Sequence, residues 1–211
     1  MKDARDRVFS VAISPDKTRI VSGGYSSSLF VWDSSTGDSV FGPLTGHSST
    51  VSAVSYSPNG RHIVSGSFDK SVIVWDAITG AMLTSLLVAH SESIRSIAYH
   101  PSGETFVTGS DDKTITVWDA NTFKPIHKGL DAHSSAVWTV RYSPDGTFVI
   151  STSWDRTLRV WDSRSGKVVC EPEGHDLPVW SAAFSLDSRR IVSGDHGGNI
   201  KIWELRELDM R

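Results

Sequence analysis

The sequence is poor in cysteine, in long apolar runs and in charge of one sign. A single cysteine, Cys170, stands among 211 residues, so no internal disulfide can form and no cysteine cluster can hold structural zinc. Folding needs no oxidising compartment, and residence inside the cell, in the cytoplasm, is the expectation. The longest weakly apolar stretch, "AMLTSLLVAH" at 81–90, falls far short of the roughly 20 residues that span a bilayer. The opening "MKDARDRVFS" carries charge but no apolar h-region, so neither a signal peptide nor a membrane segment is expected. Formal net charge is −3, and the longest basic run is the pair Arg189-Arg190. A dominant attraction to nucleic acid or anionic lipid is therefore not expected. Also missing is a sustained 3.6-residue period between strand-like runs, which argues against crossover helices and a parallel sheet.

What is abundant is tryptophan, with eight residues, and repetition. "VWD" falls at 31–33, 74–76, 117–119 and 160–162, each 43 residues after the last, and "IWE" follows at 202–204 after a step of 42. Gly46-His47 recurs at the same spacing as Ala89-His90, Ala132-His133 and Gly174-His175. Turn phrases keep step: "SPDK" at 14, "SPNG" at 57, "HPSG" at 100, "SPDG" at 143 and "SLDS" at 185. Between them lie short alternating or β-branched runs such as "VSAVSYS", "RHIVSGS" and "SVIVWD", which read as strands bounded by Pro, Gly, Asn and Asp. Each unit is predicted to hold four strands, the last unit only three, giving nineteen in all. One such unit buries its faces poorly alone, so neighbouring units must stack.

The spacing of Gly-His to Trp-Asp, 28 to 29 residues in every unit that has both, resembles the WD-repeat (WD40) β-propeller family over residues 8 to 204. The repeat register also resembles the arrays of fungal nucleotide-switch (NACHT/WD-repeat) signalling proteins. The resemblance implies an all-β propeller of about five four-stranded antiparallel blades with an incomplete last blade, or part of a larger propeller. As one WD-repeat domain over 1–211, its repeats fall at about 8–44, 45–87, 88–130, 131–172 and 173–204, with a charged tail at 205–211.

Ser, His and Asp recur together and invite a nucleophilic-triad reading. His47, Ser65, Asp69 and Trp75 form one set; His90, Thr108, Asp112 and Trp118 a second; His133, Ser151, Asp155 and Trp161 a third. A triad is needed once, whereas these sets repeat with the fold period. The resemblance implies instead a buried relay of hydrogen bonds. Indole only donates, carboxylate only accepts, and hydroxyl and imidazole do both, so the four types can satisfy one another. No catalytic residue is assigned and no enzymatic activity is expected. Two units depart from the pattern: Ala4 and Ser26 replace His and Asp in the first, and Gly197 replaces Asp in the last, with Asp195 two residues earlier as a substitute. The end units are therefore expected to be held most weakly. His62, His100, His127 and His196 lack ligand spacing, so no metal or other cofactor is expected.

Positions that the fold requires must repeat, and positions that differ between copies are free for function. The resemblance puts a partner-facing rim on the residues three and five after the histidine and on the residue before the network Asp. Carried onto this sequence, the inner-strand positions are Arg7 and Phe9, Thr50 and Ser52, Ser93 and Arg95, Ala136 and Trp138, and Pro178 and Trp180. The pre-Asp position gives Tyr25, Phe68, Asp111, Trp154 and His196. Five tryptophans belong to the repeat, at 32, 75, 118, 161 and 203, and the other three all fall on the rim. Three such rings could offer up to roughly 450–750 Å², a surface on the scale of a protein-binding patch. The alternative is that they pack against one another.

The expected function is a non-enzymatic protein- or peptide-binding scaffold that uses this rim. The second expectation is a structural or oligomerisation element, in which open blade edges complete a larger propeller or join two chains.

Overall fold

The computed structural model describes residues 7–86 and 89–205. Ala4 and most of the charged tail lie outside the described residues. The described chain contains nineteen strands in five antiparallel sheets. The first sheet is β1 (Val8–Ile13), β2 (Arg19–Gly24), β3 (Ser28–Asp33) and β4 (Ser39–Thr45). The second is β5 (Val51–Tyr56), β6 (His62–Ser67), β7 (Val72–Asp76) and β8 (Met82–Leu86). The third is β9 (Ile94–Tyr99), β10 (Thr105–Ser110), β11 (Thr114–Asp119) and β12 (Pro125–Asp131), and the fourth is β13 (Val137–Tyr142), β14 (Phe148–Ser153), β15 (Leu158–Asp162) and β16 (Val168–Cys170). The fifth has three strands, β17 (Val179–Phe184), β18 (Arg190–Asp195) and β19 (Ile200–Glu204). In each sheet the strands lie in chain order, so every connection is a hairpin. Among the described residues no helix is long and apolar enough to cross a membrane.

Turn chemistry explains the punctuation. In the turn after the first strand of a sheet, Asp16 accepts from Ser14 and Thr18, Asn59 from Ser57 and Arg61, and Asp145 from Ser143 and Thr147. These are side-chain-closed turns, the reason "SPDG"-type phrases recur. The residue that finishes each turn is left-handed, with φ of 62° at Lys17, 69° at Gly60, 80° at Gly103, 77° at Gly146 and 57° at Ser188. After each "VWD", the Asp carboxylate caps the next turn: Asp76 accepts from Ile78, Thr79 and the Thr79 hydroxyl. This second Asp is thus a turn residue, distinct from the network Asp.

The chain forms two compact units, Met1–Ile97 and Ala98–Arg211, with the division inside β9. In the first unit, Val21, Leu29 and Val31 of sheet one pack with Val51, Val54 and Tyr56 of β5, and Ile63, Ile73 and Trp75 extend that cluster. In the second, Val107, Ile115 and Val117 pack with Val137, Val140 and Tyr142 of β13. A further cluster joins Ile150, Leu158 and Val160 to Ala182 and Ile191. Apolar burial of this kind, about 1.5–3 kcal/mol per fully buried aliphatic side chain, is what holds sheets that are marginal singly. Cys170 is buried in the last of these clusters, and burial pushes its thiol up to about 11, so it is a core residue without thiolate character.

Candidate functional site

The repeated Ser-His-Asp sets are assembled, but inward. In sheet four, Trp161 Nε1 donates to Ser151 Oγ at 2.9 Å, and Ser151 Oγ lies 2.8 Å from His133 Nε2. His133 Nδ1 lies 3.0 Å from Asp155 Oδ2. Because the indole can only donate, Ser151 must accept from it and pass its own proton to Nε2, which leaves Nδ1–H to face Asp155. The relay runs Trp161, Ser151, His133, Asp155. Sheet two repeats it: Trp75 to Ser65 at 2.9 Å, Ser65 to His47 at 2.8 Å, His47 to Asp69 at 3.1 Å. Ser65 and Ser151 are fully buried, and each hydroxyl oxygen is already occupied by an indole.

Electrostatics follow from burial. Burial holds His47 below its ordinary value, and Asp69 only partly counteracts this, so the imidazole is neutral. Burial would raise the Asp155 carboxyl, but hydrogen bonds from His133 and Thr157 outweigh it and hold the group well below the usual carboxylate range. In sheet three Trp118 donates to Thr108 at 3.0 Å, Asp112 accepts from Thr114, and His90 is buried.

In sheet one Trp32 donates to Ser22 at 2.8 Å, and Ser26 stands where the other sheets carry the network Asp. The last sheet is not correspondingly weak. Asp195, at the end of β18, binds His175 Nδ1 at 3.1 Å, and His175 Nε2 reaches Ser193 at 2.7 Å. Asn199 donates to Asp195 through both its backbone and its side chain, and these bonds hold the carboxyl at about 2. The substitute carboxylate expected at Asp195, displaced by two residues, thus completes the relay, whereas the weakness expected of this unit's network is not seen.

The rim positions are brought out by two backbone devices. The first strand of a sheet carries a β-bulge between Val8 and Ser10, Val51 and Ala53, Val137 and Thr139, and Val179 and Ser181. The skipped residues are Phe9, Ser52, Trp138 and Trp180, and a bulge re-aims the side chain it carries. The pre-Asp turn is then tied to that strand: Tyr25 N–H donates to Arg7 O, Phe68 to Thr50 O, Trp154 to Ala136 O, and His196 to Pro178 O, at 2.9–3.1 Å.

Within the second unit these devices gather four rings. Trp138 lies 5.7 Å from both Trp154 and Trp180, centroid to centroid, and Trp180 stacks on His196 at 5.1 Å and 26°. Trp154 remains 44% exposed and Trp180 42%, with His196 also exposed. Leu177 is also exposed at this end of the fifth sheet, where a Cβ on Gly197 would meet its Cδ1. It lies one residue before the repeat position of Pro178, so the register rule passed over it. In the first unit, Phe9 lies 5.9 Å from both Tyr25 and Phe68, Arg95 covers Phe68 at 4.5 Å, and Arg7 lies over Tyr25 at 5.9 Å. Asp111 lies in the turn after β10 and is half-buried. Thr50 is buried, and the Ser52 hydroxyl donates to the carbonyls of Gly66 and Ile94, so neither presents a free side chain. Two of the histidines outside the relay bond to backbone carbonyls: His100 pairs with Gly146 O at 3.1 Å and His127 with Arg164 O at 3.0 Å.

Repeated antiparallel sheets in chain order, each with a Trp hydrogen-bonded to a hydroxyl of its second strand and that Trp buried in all but the last sheet, define a blade-repeat protein. The family model for the WD domain, G-beta repeat (WD40), matches residues 2–33, 39–76, 81–119, 123–162 and 166–204. The chain belongs to this family, whose repeats generally serve as non-enzymatic scaffolds for protein–protein interaction. A search of curated proteins returned no significant match.

Proposed function

We propose that this chain is a protein- or peptide-binding module, without enzymatic activity, whose recognition surface is the aromatic rim. The observation that carries the reading is the Trp138–Trp154–Trp180–His196 cluster, in which two tryptophans stay over 40% exposed although a third ring packs on both. On full areas of roughly 150–250 Å² per ring, those exposures leave on the order of 100 Å² on each. That is less than three independent rings would offer, because part of the surface is spent in mutual packing. It still yields about 5 kcal/mol of gross apolar transfer at roughly 25 cal/mol/Å², the size of a hot-spot cluster. Stacking also fixes the rings before a partner arrives, which reduces the ordering cost of binding. Phe9, Tyr25 and Phe68, flanked by Arg7 and Arg95, form a second such surface in the first unit, with cationic groups over aromatic faces that suit an acidic or polar segment. Asp111 would add a negative charge to partner contacts. The Ser-His-Asp sets are read as structural because their hydroxyls are buried and engaged.

The test is capture of cellular proteins by the wild-type chain and by the Trp154→Ala/Trp180→Ala variant, with thermal unfolding of both. Loss of specific partners, about 30-fold or more in affinity for a hot-spot pair, with little change in melting temperature is expected. Unchanged capture would overturn the reading.

A further inference from the structure

The five sheets are internal copies, so a face covered in one and bare in another can be compared residue for residue. In the covered cases, the second and third strands of one sheet meet the first strand of the next. Val21, Leu29 and Val31 lie against Val51, Val54 and Tyr56, and Val107, Ile115 and Val117 against Val137, Val140 and Tyr142. Two half-joints stand uncovered. In the first unit, Val8, Val11 and Ile13 of β1 occupy the positions of Val51, Val54 and Tyr56, yet they are between 49% and 64% exposed. In the second, Val192, Ile200 and Ile202 occupy the positions of Val64, Val72 and Val74, which are fully buried, yet they are between 41% and 73% exposed. Pairing sets Ile202 opposite Val192 and Ile200 opposite Gly194, so these residues share one face.

A glycine sharpens the match. Gly23, Gly66, Gly109 and Gly194 all stand nine residues before the Trp of their sheet. A Cβ on the first three would lie 2.5, 2.5 and 2.7 Å from Val51, Ile94 and Val137 respectively, whereas a Cβ on Gly194 would meet nothing within 4 Å. Thr152 fills the position in sheet four. Val51, Ile94 and Val137 are the copies of Val8. Gly194 is thus a seat without an occupant, and Val8 is an occupant of the right kind without a seat.

We infer that copies of this chain join front to back, with the β1 face of one against the β18–β19 face of another and Val8 seated over Gly194. The two faces differ, so the joint is heterologous: each copy offers one of each, and the joints close into a ring or extend a stack. An exposed aliphatic face of this kind is an association site by default. The inference does not depend on the aromatic rim.

Sedimentation of the full chain tests it. A reversible, concentration-dependent rise above the 23.1 kDa monomer is expected. Gly194→Lys projects into open space from a backbone without positive φ, and Val11→Asp replaces an exposed side chain, so both fold. Each is expected to weaken association by about tenfold or more, the factor equivalent to 1.4 kcal/mol. Mixing the two variants restores one intact joint, because the first keeps a good β1 face and the second a good β18–β19 face; a one-to-one complex of twice the monomer mass is expected. Ile202→Glu serves as a second block on the latter face. A chain that stays monomeric at every concentration, association that ignores all three substitutions and so runs through strand edges, or variants that fail to complement, would each overturn the inference.

Discussion

Asp155→Ala distinguishes a structural relay from a catalytic triad most sharply. The carboxylate accepts four bonds: Thr157 N–H at 3.0 Å and the Thr157 hydroxyl at 2.6 Å on Oδ1, with His133 Nδ1 at 3.0 Å and Ser134 N–H at 2.9 Å on Oδ2. Ser134 is exposed and regains water when the carboxylate is removed. The His133 side chain is fully buried and does not; its Nδ1–H keeps only Thr157 Oγ1, at 3.0 Å. A net contribution of about 1.5–3 kcal/mol for a bond to a charged acceptor, plus a partly orphaned buried donor, gives a loss of roughly 2–4 kcal/mol. At about 2–4 °C per kcal/mol for a chain of this size, the melting temperature falls by roughly 5–15 °C. Differential scanning calorimetry of wild type, Asp155→Ala and Asp155→Asn measures it, with Asn keeping part of the stability because its carbonyl still accepts. A melting temperature within about 1 °C of wild type would rule out a structural relay here, because a carboxylate with four donors cannot be neutral to folding if the relay holds the sheet.

Acid should melt the chain from neutral pH downward. Burial depresses His47 below 6.5, so the unfolded chain takes a proton there that the folded chain resists, and stability falls as pH drops through that range. Asp195 lies at about 2 against an ordinary 3.8, so its contribution is whole above 3.8 and is lost as pH falls toward 2. Both act in the same direction: a melting temperature that stays flat between neutrality and pH 4 would contradict the first, and one that stays flat between pH 4 and pH 2 the second. Gly109→Val forces a side chain to within 2.7 Å of Val137 and 2.9 Å of Val140, and is expected to cost about 1–3 kcal/mol in urea unfolding.

Much of the fold was legible because its signals are local. The 43-residue period, the turn phrases and the Trp positions each fix a hydrogen-bonding need within one sheet, and nineteen strands were both predicted and observed. What was not legible depends on neighbours. Ile200 and Val72 have equivalent places in equivalent strands, yet one is 73% exposed and the other fully buried, because exposure is set by whether another sheet lies on the face. The rim register gathered Trp138, Trp154, Trp180 and His196, but not the degree of their mutual packing, which needs ring orientations set by the bulges. Thr50 and Ser52 met the same register and were turned to other uses. Asp195 was legible as a substitute two residues from the usual position, but that the backbone path of the β18–β19 turn brings it fully onto His175 was not.

On the proposed function, the tryptophan cluster is where a partner sits. A photoreactive phenylalanine analogue placed at Trp180, and separately at Leu186, which is 95% exposed and is not a rim position, tests it directly. A discrete crosslinked partner is expected from position 180 and none from 186. Equal crosslinking from both positions, or crosslinking from 186 alone, would contradict it.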